Sequence, residues 1–225
     1  MQELQDIIEP IQQQRAVLFL GQKVLASGAL CAVCSELARL PFRKVISWDG
    51  EDGLVAAWRR VDRLVTVVSP IAAAPQINED HVTWLTLPKD GEVEPPWMAQ
   101  LVRNWFATHV VCFVGCDLEA WAFKTRYLGV ADDVGPHRPA YWAIASYPLD
   151  EGEQHDWEQK GIRFVATSPR DWARELLTAW EKAREEIRAT TDAPADQPPY
   201  PFLDSYTEAD AGRFFGRADA IRNLG

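Results

Sequence analysis

The sequence lacks any apolar run near the roughly 20 residues that cross a bilayer. Its amino terminus also lacks the basic region and apolar core of a secretory signal peptide. Basic residues are fewer than acidic ones: the chain has 23 Lys and Arg and 33 Asp and Glu, which gives a formal net charge of −10. A surface of this sign repels nucleic acid and anionic lipid. We therefore expect a cytoplasmic protein that has neither a membrane nor a nucleic acid as its partner.

Cysteine is scarce, and its 4 positions form two closely spaced pairs, Cys31 with Cys34 and Cys112 with Cys116. Zinc sites use such pairs, but about 77 residues separate the two pairs here, well beyond the usual spacing. A free cysteine in an apolar segment packs as a small hydrophobic residue. Core packing is therefore expected rather than metal binding or redox chemistry. Cys116 differs because it follows a strand, where a helix N-terminus would lower the pKa of an exposed thiol and allow a nucleophilic role.

What the chain does contain is a regular alternation of short apolar runs and amphipathic segments. The runs expected to be strands lie at 16–20, 43–48, 64–68, 82–87, 109–114, 141–146 and 162–166. The segments expected to be helices lie at 1–15, 27–39, 52–60, 95–107, 118–128, 153–160 and 169–188, the last with Ser168 as its N-cap. This alternation predicts an α/β, Rossmann-like fold, in which helices cover both faces of a mostly parallel sheet.

A polar, Pro-rich stretch at 189–199 follows the last predicted helix. Such composition is typical of a linker. The sequence therefore predicts an α/β domain over residues 1–188, a linker over 189–199, and a separate short helical tail over 200–225.

Candidate ligand-binding residues lie where predicted strands end, because ligands of open α/β sheets bind outside the carboxyl ends of the strands. Gly21, Asp49 and Gly115 each follow such a strand. Gly115 leads through Cys116 and Asp117 into a predicted helix, whose first N–H groups favour an anion. The alternative stays open that Gly115 only permits the turn and Asp117 only caps its helix. The acidic run from Asp49 to Asp52 is interpreted as a solvated turn, so no metal site is predicted.

Two of these strand ends resemble a known superfamily. The run Phe-Val-Gly-Cys-Asp-Leu at 113–118 is similar to a late signature of sirtuin-like proteins, and Val-Leu-Phe-Leu-Gly at 17–21 resembles the strand and glycine that open their NAD loop. Members of this superfamily bind or hydrolyse NAD. The resemblance extends over residues 16–183 and implies NAD or an ADP-ribose derivative as the ligand. Its binding residues would be Gly21, Asp49, Gly115, Cys116 and Asp117.

The departures from the sirtuin-like pattern concern its chemistry. After Gly21 the chain reads Gln-Lys-Val-Leu, without the second glycine of the family's loop. Asp49 stands where the family has its catalytic Asn, and Thr86 stands where it has its catalytic His; His81 lies at the opposite end of that strand. The resemblance therefore implies a domain that has lost NADase activity, with Asp49 as its one catalytic candidate. Two alternatives stay open, an NAD glycohydrolase activated by assembly and a sensor of a nucleotide or NAD derivative.

The tail carries a second resemblance. Its matching residues are Pro199, Tyr200, Leu203, Tyr206, Thr207, Glu208, Asp210, Ala211 and the run Phe-Phe-Gly-Arg at 214–217. They resemble the segment that opens the NTPase module of STAND proteins, although no phosphate-binding G-x-x-x-x-G-K-[ST] loop occurs in the chain. This resemblance implies the N-terminal effector or interaction domain of a prokaryotic STAND NTPase in signalling or antiphage defence. Its partner would be a protein or a second copy recruited through the parent NTPase, which is expected to continue beyond Gly225.

Overall fold

The computed structural model describes residues 2–21, 30–47, 52–71, 74, 76–78, 80–88, 92–118, 124, 130 and 139–191. The strands are β1 (Ala16–Leu20), β2 (Lys44–Ser47), β3 (Val65–Val68), β4 (Val82–Thr86), β5 (Val110–Val114), β6 (Tyr141–Ala145) and β7 (Ile162–Ala166). The helices with defined bounds are α1 (Gln2–Gln12), α2 (Leu30–Arg39), α3 (Asp52–Arg60), α4 (Pro96–Thr108), α5 (Glu151–Gln159) and α6 (Pro169–Thr191). No helix in these ranges is long and apolar enough to cross a bilayer.

The strands form one 7-stranded sheet in the order β3-β4-β2-β1-β5-β6-β7, and every neighbouring pair is parallel. The predicted α/β, Rossmann-like fold is confirmed. β1 lies at the centre, where Leu20 pairs with Ser47 of β2 on one side and with Val114 of β5 on the other. The chain first builds the half of the sheet on the β2 side and then crosses β1 to build the other half. The carboxyl ends of β1 and β5 therefore meet at the point where the winding reverses, which is where such folds bind ligands.

Helices pack on both faces of the sheet because the buried strands are apolar on both sides. On one face, Phe106 of α4 lies against Phe113 of β5 and Tyr141 of β6, with ring centroids 5.9 and 5.6 Å apart. The Tyr141 hydroxyl donates to the main-chain oxygen of Phe106 at 2.6 Å. On the other face, Trp58 of α3 contacts Trp84 of β4 edge to face, with centroids 5.0 Å apart.

The last helix begins as predicted, since the Ser168 hydroxyl accepts a hydrogen bond from the Asp171 N–H at 3.0 Å. It continues to Thr191 rather than ending at Arg188. The chain divides into two units, Met1–Lys182 and Ala183–Gly225, and the end of α6 is the part of the second unit that the structure describes. The remaining predicted linker and the tail at 200–225 lie outside the described residues, as does most of the helix predicted at 118–128.

Candidate functional site

The carboxyl ends of β1 and β5 bring three of the predicted ligand-binding residues together. The Gly21 N–H donates to the Val114 oxygen at 2.9 Å, and the Gly115 N–H donates to the Ile144 oxygen at 2.9 Å. Gly21 therefore lies beside Gly115 and Cys116, with Asp117 next along the chain. Asp49, the remaining candidate, lies outside the described residues.

Main chain fills the space on one side of Gly21. A Cβ atom at this position would lie 2.4 Å from the Gly115 oxygen and 2.5 Å from the Cys116 Cα. Glycine is thus required here by packing, because no side chain fits against the neighbouring backbone. Gly115 is also constrained, with a φ of 65° that favours glycine. On the side of Gly21 that faces β5, the close approach is made by the protein itself rather than left open for a ligand.

The cysteines are packed into the core. Cys34, Cys112 and Cys116 are buried and are not joined in disulfides, which confirms the expected packing for Cys34 and Cys112. The Cys116 thiol is not exposed as the alternative of a nucleophilic role would require: its Sγ lies 3.9 Å from the Phe19 oxygen, and burial, with a smaller effect of Asp117, raises the pKa of its thiol. Burial likewise raises the pKa of Cys112 to about 12. Among the described residues, no group of three or more His, Cys, Asp and Glu side chains could hold a metal ion.

Tyr147, just beyond β6, is a structural residue of this edge that sequence reasoning missed. Its hydroxyl accepts from the Leu118 N–H at 3.2 Å and donates to the Cys116 oxygen at 3.5 Å. Its ring packs on Phe164 of β7, with centroids 5.9 Å apart. The Leu118 N–H, which was expected to be available to an anion, is thereby bonded within the protein. The sequence signal that could have identified Tyr147 is its position just after a predicted strand, because the carboxyl end of that strand lies at the same edge of the sheet as Gly115.

A cavity of about 480 Å³ opens at the opposite, amino edge of the sheet. Residues just before or at the start of β2, β4 and β5 form it, together with the end of α1 and one face of α4. Its Arg, Lys and His side chains are Arg43, Lys44, His81 and His109, and none of the described lining residues is acidic. We call this the amino-edge cavity. His81, predicted from the sequence to lie at the start of its strand, does lie there, immediately before β4.

The main-chain oxygens around the amino-edge cavity orient its cations. Arg43 donates from Nη1 to the Asp80 oxygen at 2.6 Å, and Lys44 Nζ lies 3.5 Å from the Gln14 oxygen. The Nε atom of Arg43 is buried and has no hydrogen-bond partner in the described part of the chain. His81 Nδ1 lies 3.0 Å from the Thr66 hydroxyl.

The His109 imidazole reports the electrostatics of the cavity. Burial lowers the pKa of His109 to about 4, and the positive charges of Lys44 and Arg15 act in the same direction, against the opposing effect of a hydrogen bond to the main chain of Trp105. The ring is therefore neutral at pH 7, and its Nδ1 lies 2.6 Å from the Thr108 hydroxyl. Burial is the larger cause of the neutral ring, and the positive charges of Lys44 and Arg15 add to it.

Comparison with known proteins assigns no family. No protein-family model matches the chain, and no curated protein matches it significantly. The two edges of the sheet are therefore interpreted from their own residues.

Proposed function

We propose that this chain is the cytoplasmic N-terminal effector or interaction domain of a STAND-type NTPase in prokaryotic signalling or antiphage defence, and that it acts by contact rather than by NAD hydrolysis. The STAND part of the proposal rests on the Phe-Phe-Gly-Arg run at 214–217 and the matching residues before it. The observation that supports the loss of chemistry is the carboxyl edge at β1 and β5, where internal contacts occupy one side of Gly21 and the Leu118 N–H.

Three contacts at that edge weigh against hydrolysis. Gly21 packs on the Gly115 and Cys116 backbone, the Cys116 thiol is buried, and the Leu118 N–H is bonded to Tyr147. Cleaving the nicotinamide–ribose bond needs an oriented ribose and an activated water. Losing a general base alone typically lowers the rate by about 10²–10⁴. The sequence has neither the family's Asn nor its His, so we expect no measurable turnover.

The assay is nicotinamide release from NAD by the purified chain, with and without crowding that promotes assembly. We expect release no faster than in protein-free buffer. Turnover that disappears in Asp49→Ala but persists in Asp52→Ala, a substitution in the same acidic run, would overturn the proposal. That result would instead support the alternative of an NAD glycohydrolase in which Asp49 replaces the expected Asn.

The contact surface we assign is the outer edge of β3, the terminal strand on one side of the sheet. Exposed aliphatic side chains lie along this segment: Leu64 is 64% exposed, Val67 46% and Ile71 96%. Terminal strands carry main-chain groups that can pair with another strand. An edge of identical sequence in a second copy satisfies these groups through a two-fold contact, so we assign the edge to self-association.

Sedimentation velocity on the full chain over a range of concentrations tests this assignment. We expect the sedimentation coefficient to rise with concentration for the unmodified chain and for Val93→Lys, which alters an exposed residue outside β3. The rise is expected to disappear in Val67→Lys, because a charge at the strand edge blocks pairing. A chain that sediments as a monomer at every concentration would contradict the assignment of β3 to self-association. The expected absence of NAD hydrolysis is tested by the nicotinamide assay and does not depend on this result.

A further inference from the structure

The amino-edge cavity is separate from the NAD-binding edge that the sirtuin-like resemblance implies. Gly21 and Gly115 follow the carboxyl ends of β1 and β5, whereas Lys44 begins β2 and His109 precedes β5. Because parallel strands have all their amino ends at one edge, these two groups of residues lie on opposite edges of the sheet. A ligand in this cavity would therefore be additional to any ligand at Gly21 and Gly115.

The basic side chains at this edge lie close enough to repel one another. Lys44 and Arg15 oppose protonation of His109, and Arg43 adds to the burial that lowers the pKa of Arg63. Part of the arrangement has a structural explanation, since Arg63 donates to the Ala38 oxygen at 3.1 Å near the end of α2. Arg43 and Lys44 line the cavity itself, and the Arg43 guanidinium carries more N–H donors than its bond to the Asp80 oxygen uses.

The Arg43 side chain contains a buried hydrogen-bond donor that the described part of the protein does not satisfy. Its Nε–H is removed from water without an acceptor among the described residues, and a buried donor left in this way is destabilising. The bond from Nη1 to the Asp80 oxygen fixes the guanidinium in place. The half-exposed Arg43 side chain lines the cavity, and Arg is the side chain that best matches the geometry of phosphate and carboxylate oxygens.

The size and lining of the cavity indicate the class of anion. A volume of about 480 Å³ falls in the range of small-molecule sites and exceeds what an inorganic ion fills. Beside the cations, the amides of Asn78, Asn104 and Gln13 can bond to hydroxyl groups, and Trp105 and Leu101 provide apolar wall. We propose that the amino-edge cavity binds a small organic phosphate of mononucleotide size, with Arg43 and Lys44 holding the phosphate.

Calorimetric titration of the full chain at pH 7 and low salt tests the proposal with AMP, ribose 5-phosphate, inorganic phosphate and uncharged adenosine. We expect AMP or ribose 5-phosphate to bind and adenosine not to bind. Arg43→Gln is expected to weaken the binding at least tenfold, whereas Arg170→Gln, an exposed site outside the cavity that loses the same charge, is expected to leave it unchanged. Inorganic phosphate binding as tightly as both organic phosphates would overturn the assignment, as would no binding of any phosphate.

A second variant covers the case in which Arg43→Gln does not fold, because that substitution also removes the bond to the Asp80 oxygen. Asn104→Trp alters an exposed position on α4 that lines the cavity, so it narrows the space without removing a cation. We expect Asn104→Trp to abolish binding of the organic phosphate. NMR titration is expected to show the pKa of His109 rising when the phosphate is bound. Affinity unchanged in Asn104→Trp, or a His109 pKa that the ligand does not move, would place the phosphate elsewhere and overturn the proposal.

Discussion

The indole N–H of Trp84 donates to the hydroxyl of Ser47 at 2.9 Å, and both residues are 0% exposed. This bond joins the middle of β4 to the carboxyl end of β2 in the interior of the protein. The same indole lies edge to face with Trp58, whose own Nε1 is buried without a partner in the described residues. The hydrogen bond therefore favours the observed register of β2 and β4, in which Val45 pairs with Trp84 and Ser47 with Thr86.

Ser47→Ala is expected to destabilise the protein by about 1–3 kcal/mol, because the Trp84 N–H is then buried without an acceptor. Chemical denaturation measures the loss as a shift of the unfolding midpoint. In a Trp84→Phe background, which has no indole N–H, the same substitution is expected to cost less than about 0.5 kcal/mol. Equal costs in the two backgrounds would show that the hydrogen bond contributes nothing.

Gly21→Ala is expected to lower the free energy of unfolding by about 3 kcal/mol or more, since the added methyl group would overlap the Gly115 oxygen and the Cys116 Cα. Thermal unfolding followed by circular dichroism checks this expectation. The matched control is Gly152→Ala in the first turn of α5, where the new Cβ would meet only the Asp150 carboxylate at 3.3 Å. There we expect a change smaller than about 1 kcal/mol. A fully stable Gly21→Ala chain would contradict the packing at this edge.

The stability of the protein is expected to fall as the pH drops from about 6.5 towards 4. In this window the unfolded chain protonates His109, whereas the folded chain, with a pKa of about 4, does not. The stabilisation is complete above pH 6.5 and is lost as the pH falls through the folded pKa. Because the ring is half-buried, we expect only about 1–2 kcal/mol from this group.

Urea unfolding at pH 7 and at pH 4.5 measures this effect. His109→Asn is expected to reduce the difference between the two pH values, because Asn does not titrate. His155→Asn, which alters an exposed histidine on α5, is expected to leave the difference unchanged. Equal pH dependence in the parent chain and in His109→Asn would assign the effect to other groups.

Limited proteolysis with a protease of broad specificity is expected to cut between Thr191 and Tyr200. The segment is polar and rich in proline, and the described helix α6 ends at Thr191. Mass spectrometry of the stable product should give a core that ends within this segment. A chain that resists cleavage there, or a core that unfolds once the tail is removed, would contradict the prediction of a separate tail.

Local pattern was enough to predict the strands and most of the helices. Each strand is a short apolar run bounded by Gly, Pro or polar residues, and β1 and β7 have the predicted bounds. α3 also has the predicted bounds, because an acidic start and an Arg-rich end bracket its apolar face. The boundary between α6 and the linker was harder to place, since the run Ala-Thr-Thr at 189–191 carries no strong stop signal and helix ends vary by a residue or two.

The candidate site was only partly predictable from the sequence. Strand-end reasoning predicted that Gly21 and Gly115 meet, because strand polarity alone brings carboxyl ends together. It could not predict that the two backbones fill the space between them, which depends on strand order and distances of a few tenths of an ångström. The amino-edge cavity was missed because Arg43, His81 and His109 are far apart in sequence and form no local motif. Their shared signal, a position just before a strand, becomes visible only when the amino ends are compared as well.

The central position of β1 has a consequence for how the protein is made. Ala16 pairs with Val110, so one side of the first strand has no partner until about ninety further residues have been synthesised. At about 5–20 residues per second, that interval lasts roughly 5–20 s. During it the apolar run Ala-Val-Leu-Phe-Leu is available for wrong pairing, and the contact that ends the exposure is a slow, long-range one. We therefore expect the nascent chain to be most prone to wrong pairing before β5 has emerged from the ribosome, and faster elongation to shorten that interval.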